Sequence, residues 1–138
     1  MTLSEGEMAR WIAWKRANDA VLAAVAQEIQ SASGLSAADF AVLSRVIENG
    51  DGRMRQHDLG RMLDWKRARL SRQLSRMAER GLVLREDGVG RRMVVSATDE
   101  GRAALAEARP AHARAVRRAL FDRAPDGAFW EVIQELGA

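Results

Sequence analysis

The chain has 138 residues, 47% of them hydrophobic, so it is long enough to bury the core of one domain and too apolar for a disordered protein. Its 22 basic residues slightly exceed its 19 acidic residues, for a formal net charge of +3. The absence of cysteine excludes disulfides, thiolate metal sites and cysteine-based oxidant sensing. No apolar run approaches the ~18 residues that span a bilayer. Because Glu5 and Glu7 precede the first arginine, we expect a cytoplasmic protein without a secretory signal.

Apolar residues at helical spacing predict a long first helix from about residue 4 to residue 31, which Ser33 and Gly34 end. Ser36 and Asp39 have the spacing of a capping box and predict the start of a second helix, which runs to about Glu48. The apolar side of the first helix consists of Met8, Ile12, Leu22, Val25 and Ile29, with Trp11 and Trp14 beside it, and that of the second consists of Phe40, Leu43, Val46 and Ile47.

The positive charge is concentrated between Arg53 and Arg92. This segment carries 12 basic and 5 acidic residues, about +7, whereas the rest of the chain carries 10 and 14, about −4. Such a block attracts a polyanion through electrostatics and counterion release. A solvated arginine-rich surface has the same composition, so the pattern within the block has to decide between the two.

Within the block, the pattern predicts two short helices joined by a tight turn. The first spans roughly residues 55–63, and its Gly60 permits close approach of the second. Gly81 suits a left-handed cap at the end of the second helix, and Leu82 can pack back on it. One stripe of the second helix is apolar, with spacings of 7, 4 and 3 between Leu63, Leu70, Leu74 and Met77, and the opposite side carries Ala68, Arg69, Arg72, Ser75, Arg76 and Glu79. This is the pattern of a helix-turn-helix whose second helix is basic on its outer side.

The following residues predict a β-hairpin. Residues 82–85 and 91–97 have short strand patterns, and the glycines of residues 88–90 form the turn between them. Arg91 and Arg92 lie at the tip, where a guanidinium can enter the narrow minor groove of DNA. The predicted fold is therefore mainly α with a small β-hairpin wing, a winged helix-turn-helix.

The C-terminal part predicts two more helices. Thr98 caps the first, whose apolar pattern continues to Leu120 and in which Pro110 should produce a kink. Pro125 and Gly127 separate it from a last helix with an apolar stripe of Phe129, Val132, Ile133 and Leu136.

A winged helix needs only residues 36–98, so the long helices of residues 1–35 and 99–138 require a separate role within the one compact domain. One alternative is that they only cover the core. We favour dimerisation helices that interlock in a symmetric, apolar homodimer. Such a dimer would place two recognition helices about one DNA turn apart, ~34–36 Å, which matches a palindromic operator.

The residues quoted above resemble the MarR family of bacterial transcription regulators along nearly the whole chain. Residues 63–72, LDWKRARLSR, resemble a branch with a Trp at the start of the recognition helix, and residues 80–83, RGLV, resemble the end of that helix. The C-terminal residues that resemble the same branch are Pro110, His112, Val116, Arg117, Arg118, Phe121 and Asp122. The resemblance implies a homodimeric regulator of transcription, commonly a repressor, that releases double-stranded DNA when a small aromatic acid binds.

The family's wing usually has an Asp just before the arginine that enters the groove. Val89 and Gly90 stand there, so Arg91 and Arg92 are alternative candidates.

These patterns assign DNA-contacting roles to individual side chains. Arg69 and Arg72 are the candidate base readers, because Arg to guanine is the commonest specific contact, and Ala68 is short enough to meet a thymine methyl. The alternative is that both arginines touch only phosphates. Trp65 either packs where the turn enters the helix, which we favour, or stacks on a sugar. The candidate phosphate contacts are Lys66, Arg67, Ser71, Arg76, Arg55 and Gln56.

Other kinds of site receive less support. Trp11 and Trp14, with Lys15, could line an effector pocket, although tryptophans on an amphipathic helix more often belong to the core. His57 and Asp58 are adjacent, but no further ligand cluster accompanies them and His112 lies on another helix, so we expect no metal and no cofactor besides the effector. No nucleophile, paired-carboxylate or phosphate-loop motif predicts an enzyme. The competing function is a winged-helix module that binds another protein.

Overall fold

The computed structural model describes residues 1–88, 90 and 92–138 of the chain. It is mostly helical with one three-stranded antiparallel sheet of strand order β1-β3-β2, which confirms the predicted fold class. The elements in chain order are α1 (Glu5–Ser33), α2 (Ala37–Gly50), β1 (Arg53–Arg55), α3 (Gln56–Leu63), α4 (Arg67–Glu79), β2 (Val83–Asp87), β3 (Met93–Ala97), α5 (Asp99–Val116), a π-helical segment (Arg117–Phe121) and α6 (Ala128–Gly137). None of the helices within these described ranges is long and apolar enough to cross a membrane.

Capping boxes start the first two helices. At α2 the Ser36 hydroxyl accepts a hydrogen bond from the Asp39 amide at 3.0 Å, and the Asp39 carboxylate accepts one from the Ser36 amide at 2.9 Å, as predicted. The same arrangement of Ser4 and Glu7 starts α1 and was not predicted. Gly34, with φ 73°, ends α1 in the left-handed conformation that favours glycine. The first helix is therefore fixed at both ends.

The core lies between α2, α4, the sheet and one side of α5. The predicted edge of Leu70, Leu74 and Met77 is fully buried, which confirms the orientation of α4. Of the predicted apolar side of α1, only Ile29 is buried, so most of that side is open in the single chain. The core cluster consists of Ile29, Leu35, Phe40, Val42, Leu43, Val46, Leu59, Leu70, Leu74, Met77, Leu82, Val83, Val95, Leu105 and Ala108.

The sheet has a strand that the sequence did not reveal. β1 pairs with β3 over three residues, from Arg53 opposite Ser96 to Arg55 opposite Val94. On the other side of β3, β2 forms the predicted hairpin, with Val83 opposite Ala97 and Asp87 opposite Met93. The central position of β3 ties the wing to the start of α3, because β1 leads directly into that helix. The wing prediction for Arg91 lies outside the described residues.

The C-terminal helices extend from the winged helix. The Thr98 hydroxyl accepts a hydrogen bond from the Gly101 amide at 3.0 Å and caps α5, as predicted. α5 continues through Pro110, although proline supplies no amide donor to the helix, and its last turn widens into the π-helical segment. α5 packs along α1 and also contacts α2, so Leu105 and Ala108 of α5 belong to the shared core.

Candidate nucleic-acid interface

A tight turn sets α4 against α3. Asp64 adopts a left-handed conformation with φ 54°, and the Trp65 amide donates to the Gly60 carbonyl at 3.0 Å. A Cβ on Gly60 would lie 3.4 Å from Leu70 Cδ2 and 3.5 Å from the Trp65 carbonyl oxygen, which is ordinary van der Waals contact, so the approach of α4 does not require the glycine that the sequence suggested. Leu63 ends α3 and precedes the turn. It therefore does not belong to the stripe of the recognition helix, which corrects the stripe inferred from the sequence.

The end of α4 is a Schellman motif. The Leu82 amide donates to the Met77 carbonyl and the Gly81 amide to the Ala78 carbonyl, both at 3.0 Å, with Gly81 at φ 77°. Leu82 is buried behind the helix. The predicted cap is confirmed, and it directs the chain from α4 into the wing.

The outer side of α4 presents basic side chains. Ala68, Arg69, Arg72 and Arg76 are exposed, opposite the buried edge. The guanidinium carbon of Arg69 lies 4.1 Å from the centroid of the Trp65 ring, which is cation–π geometry. Trp65 itself is half-buried against the core, as the favoured packing prediction requires. The indole thereby restricts Arg69 at the start of the recognition helix.

A buried polar network holds α4 from behind. Asp39 is 2% exposed, and its carboxylate accepts hydrogen bonds from Gln73 Nε2 at 2.7 Å and from Arg80 Nη1 at 2.6 Å. Gln73 Oε1 in turn accepts a hydrogen bond from Arg76 Nη2 at 3.0 Å. Asp39, in the first turn of α2, is therefore connected to the candidate phosphate contact Arg76 through one intermediate side chain, Gln73. Sequence reasoning missed this network, although a glutamine within the apolar edge of α4 is a signal for it.

A second polar cluster joins the wing to both helices. From β2, Arg85 donates from Nη1 to Ser75 Oγ at 3.0 Å, and from Nη2 to Gln56 Oε1 at 3.1 Å and Ser71 Oγ at 3.3 Å. Ser71 and Gln56 are candidate phosphate contacts, and both are half-buried. Sequence reasoning assigned no role to Arg85. The remaining phosphate candidates, Arg55, Lys66, Arg67 and Arg76, are exposed.

A groove of about 770 Å³ lies between the helix-turn-helix and the wing. Its lining contains four arginines, two aspartates and His57 among the residues Arg55, Gln56, His57, Asp58, Gly60, Arg61, Asp64, Trp65, Arg67, Leu70, Arg92 and Met93. Arg92 thus faces the same space as the start of α4. Within the described residues, no group of three or more His, Asp or Glu side chains could hold a metal ion.

The terminal helices leave apolar side chains exposed. Trp11 and Trp14 are about half exposed, and Lys15 Nζ lies 5.8 Å from the centroid of the Trp11 ring. A cavity of about 700 Å³ lies between α1, the end of α5 and α6, and neither it nor the groove is lined by Trp11, Trp14 or Lys15. The effector site on these three residues stays a prediction. The other exposed apolar residues of the terminal segments include Leu3, Met8, Ile12, Leu22, Phe121, Val132 and Leu136.

Comparison with known proteins places this geometry in a family. Residues 27–98, slightly more than half of the chain, match the family described as "Domain of unknown function (DUF7343)". No curated protein matches the chain in sequence. Several solved structures do match the chain. AbsC, a MarR family transcriptional regulator from Streptomyces coelicolor, is similar with a TM-score of 0.89 and 26% identity over 99% of this chain and 93% of that one.

Two further structures are informative. Sco3205, a MarR family regulator from Streptomyces coelicolor in complex with DNA, has a TM-score of 0.85 and 28% identity over 99% of this chain and 87% of its own. CouR from Rhodococcus jostii RHA1, bound to p-coumaroyl-CoA, has a TM-score of 0.72 and 25% identity over 88% of this chain and 85% of its own. The chain therefore belongs to the family described as Domain of unknown function (DUF7343), and its fold is that of the solved MarR family transcriptional regulators, which confirms the resemblance found in the sequence.

Proposed function

We propose that the protein is a DNA-binding regulator of transcription, a repressor that binds a palindromic operator as a homodimer in the cytoplasm. The observation that carries the proposal is the outer side of α4, where Arg69, Arg72 and Arg76 project from a helix whose other side is buried. The similarity to Sco3205, which is described in complex with DNA, supports it. The recognition helix enters the major groove, the wing arginine enters the adjacent minor groove, and phosphate contacts fix the register.

The homodimer is supported by the open side of the terminal helices. Leu22, Val132 and Leu136 are each more than half exposed in the single chain. Large apolar side chains that stay exposed on both terminal segments support an interface there. A second copy covers these residues in the proposed dimer, and the two-fold symmetry gives it two recognition helices.

The proposed effector is a small aromatic acid. CouR is described with p-coumaroyl-CoA, which carries an aromatic acyl group, and this supports an aromatic ligand here. Trp11 and Trp14 would stack on the ring and Lys15 would pair with the carboxylate in the assembled dimer. The ligand changes DNA affinity only if it binds the DNA-competent and incompetent arrangements unequally.

Selection from a random DNA pool tests the proposal. The purified full-length protein is mixed with random duplexes, bound fragments are sequenced, and the selection is repeated with benzoate and cinnamate derivatives. We expect an inverted repeat to be enriched, and its enrichment to fall with at least one acid. Repression is then tested with the enriched sequence placed upstream of a reporter gene.

The competing function is a winged-helix module that binds another protein. Salt titration separates the two, because DNA affinity falls with a slope of about −0.9 in log K against log salt for each phosphate neutralised. If no sequence is enriched and residual binding hardly depends on salt, the DNA-binding proposal is wrong. The solved structures named above are described as regulators, so we propose a regulator rather than an enzyme.

A further inference from the structure

We propose that Arg85 is a positioning residue that orients three neighbouring polar side chains so that they donate hydrogen bonds to the DNA backbone. The inference rests on the proposed DNA binding and assigns a role to a residue of wing strand β2 that contacts the recognition helix. Its basis is the cluster of Arg85 with Ser71 and Ser75 of α4 and Gln56 of α3.

The chemistry of the four side chains decides which of them donate and which accept the hydrogen bonds of the cluster. A guanidinium only donates hydrogen bonds, whereas serine hydroxyls and glutamine amides both donate and accept. Arg85 therefore occupies an acceptor lone pair of Ser71 Oγ, Ser75 Oγ and Gln56 Oε1. The hydroxyl hydrogens of both serines and the Nε2 group of Gln56 are left to donate elsewhere. Phosphate oxygens only accept hydrogen bonds, so these remaining donors suit the DNA backbone.

The position of the cluster connects α3, α4 and the wing through one side chain. Ser71 and Ser75 are one helical turn apart on α4, and Gln56 begins α3, so one guanidinium fixes the angle between both helices. Arg85 also stands opposite Val95 in the sheet, which connects that angle to the wing. A cationic donor strengthens the donation by the hydroxyls that it contacts, because hydrogen bonds in a chain polarise one another.

Two substitutions at one position separate positioning from direct phosphate binding. Arg85→Lys keeps the charge but its single ammonium cannot span the three acceptors, and Arg85→Met removes the charge at similar length. A residue that itself contacts phosphate would be largely replaced by lysine. We expect instead that both variants bind the selected operator about 10- to 100-fold more weakly and that the loss is equal on specific and random duplexes. Arg114→Met, which removes one exposed arginine of α5, is the matched control and should bind like the wild type.

Double-mutant cycles provide the second readout. Ser75→Ala removes an exposed hydroxyl and should not affect folding, so its effect on affinity is measured in the wild type and in Arg85→Lys. We expect Ser75→Ala to lower the DNA affinity clearly in the wild type and hardly at all in Arg85→Lys, because without the guanidinium the Ser75 hydroxyl is no longer oriented toward the DNA backbone. Thermal unfolding of each variant checks that the fold is retained.

The outcomes distinguish the inference from the function on which it rests. If the wild type binds DNA but Arg85→Lys binds equally well, or if the Ser75→Ala and Arg85→Lys effects add independently, Arg85 has no positioning role. If the wild type binds no duplex at any salt concentration, the proposed function itself is wrong and the inference is wrong with it.

Discussion

Arg69 stands apart from the other arginines of the recognition helix because it has a stacking partner. The contact of its guanidinium with Trp65 limits the positions that the side chain samples, and a restricted arginine suits a bidentate contact to one guanine. Arg72 and Arg76 lie further along the same exposed side. The stack therefore favours Arg69 as the residue that reads a base.

The first prediction concerns Arg69 and Lys66. We expect Arg69→Ala to cost roughly 1–3 kcal/mol on the selected operator and to relax specificity at one base-pair position. Lys66→Ala should weaken binding to all duplexes alike and reduce the salt slope by about one. Competition binding against a set of single-base operator variants measures both. Uniform losses on specific and random DNA for both variants would falsify the assignment of Arg69 as a base reader.

At the scale of elements, the α2–α4 contact depends on a buried carboxylate. The Asp39 carboxylate completes the capping box of α2 and accepts hydrogen bonds from Gln73 of α4 and from Arg80, which directly follows that helix, so a single side chain joins α2 to α4. Removing it leaves Gln73 without its partner inside the core, and an unsatisfied buried polar group is costly. The recognition helix is thus held by polar contacts as well as by Leu70, Leu74 and Met77.

The second prediction follows from this contact. Asp39→Ala should lower the free energy of unfolding by roughly 2–4 kcal/mol, the sum of a lost cap and an unsatisfied amide. Urea denaturation measures the change. Glu107→Ala, which removes an exposed carboxylate of α5, is the control and should unfold like the wild type. Equal midpoints for wild type and Asp39→Ala would show that the network does not stabilise the fold.

A second contact between elements, α2 with α5, contains a titratable ring. The His112 and Phe40 rings are stacked with centroids 4.7 Å apart, while Arg109 lies over Phe40 and pairs with Glu48. Burial lowers the pKa of His112, and the nearby Arg109 cation lowers it further. His112 is therefore protonated less readily in the folded protein than in the unfolded chain.

The third prediction is the resulting pH dependence. With the folded pKa below the ordinary value of 6.5, the unfolded state binds more protons as pH falls below about 6.5. The contribution of neutral His112 is thus complete above that pH and is lost on acidification. His112→Phe keeps a stacked ring without a titrating group, so its stability should fall less than that of the wild type between pH 7.5 and 5. If the difference in free energy of unfolding between the wild type and His112→Phe stays constant from pH 7.5 to 5, the prediction is wrong.

The elements also show what sequence patterns can and cannot reveal. The periodicity of Leu70, Leu74 and Met77 and the glycine at residue 81 predicted α4 and its end, because both signals are local. β1 has only three residues, too few for an alternating pattern, and it forms because β3 offers a free edge. The contacts of Arg85 reach 10, 14 and 29 positions along the chain. Such a cluster depends on how helices and sheet are placed together, so the sequence alone did not predict it.

At the scale of the whole molecule, the basic segment and most of the exposed large apolar side chains lie in different parts of the sequence. The segment from Arg53 to Arg92 carries about +7 and the rest about −4, whereas the exposed apolar residues of the terminal helices lie outside that segment. In the proposed dimer, the basic segment therefore attracts the polyanion and the terminal helices contact the second copy. The two proposed functions thus use different parts of the chain.

The fourth prediction tests whether the exposed apolar residues of the terminal helices form the dimer interface. Leu136→Asp places a charge at the most exposed residue of the α6 stripe, at 72% exposure, and should produce a monomer in sedimentation experiments. Leu84→Asp, at a wing residue that is 55% exposed, is the control and should leave the sedimentation unchanged. A monomer contacts only one half-site, so Leu136→Asp should also lose most of the affinity for the palindrome.

DNA spacing provides an independent test of the same dimer. Two recognition helices about one turn of DNA apart require half-sites on the same side of the duplex. Inserting about five base pairs between the half-sites rotates one of them by half a turn, so wild-type affinity should fall to that of a single half-site. Leu136→Asp should be insensitive to the insertion because a monomer has no second helix to align. If Leu136→Asp remains dimeric and its binding still depends on the spacing, the terminal helices are not the dimer interface.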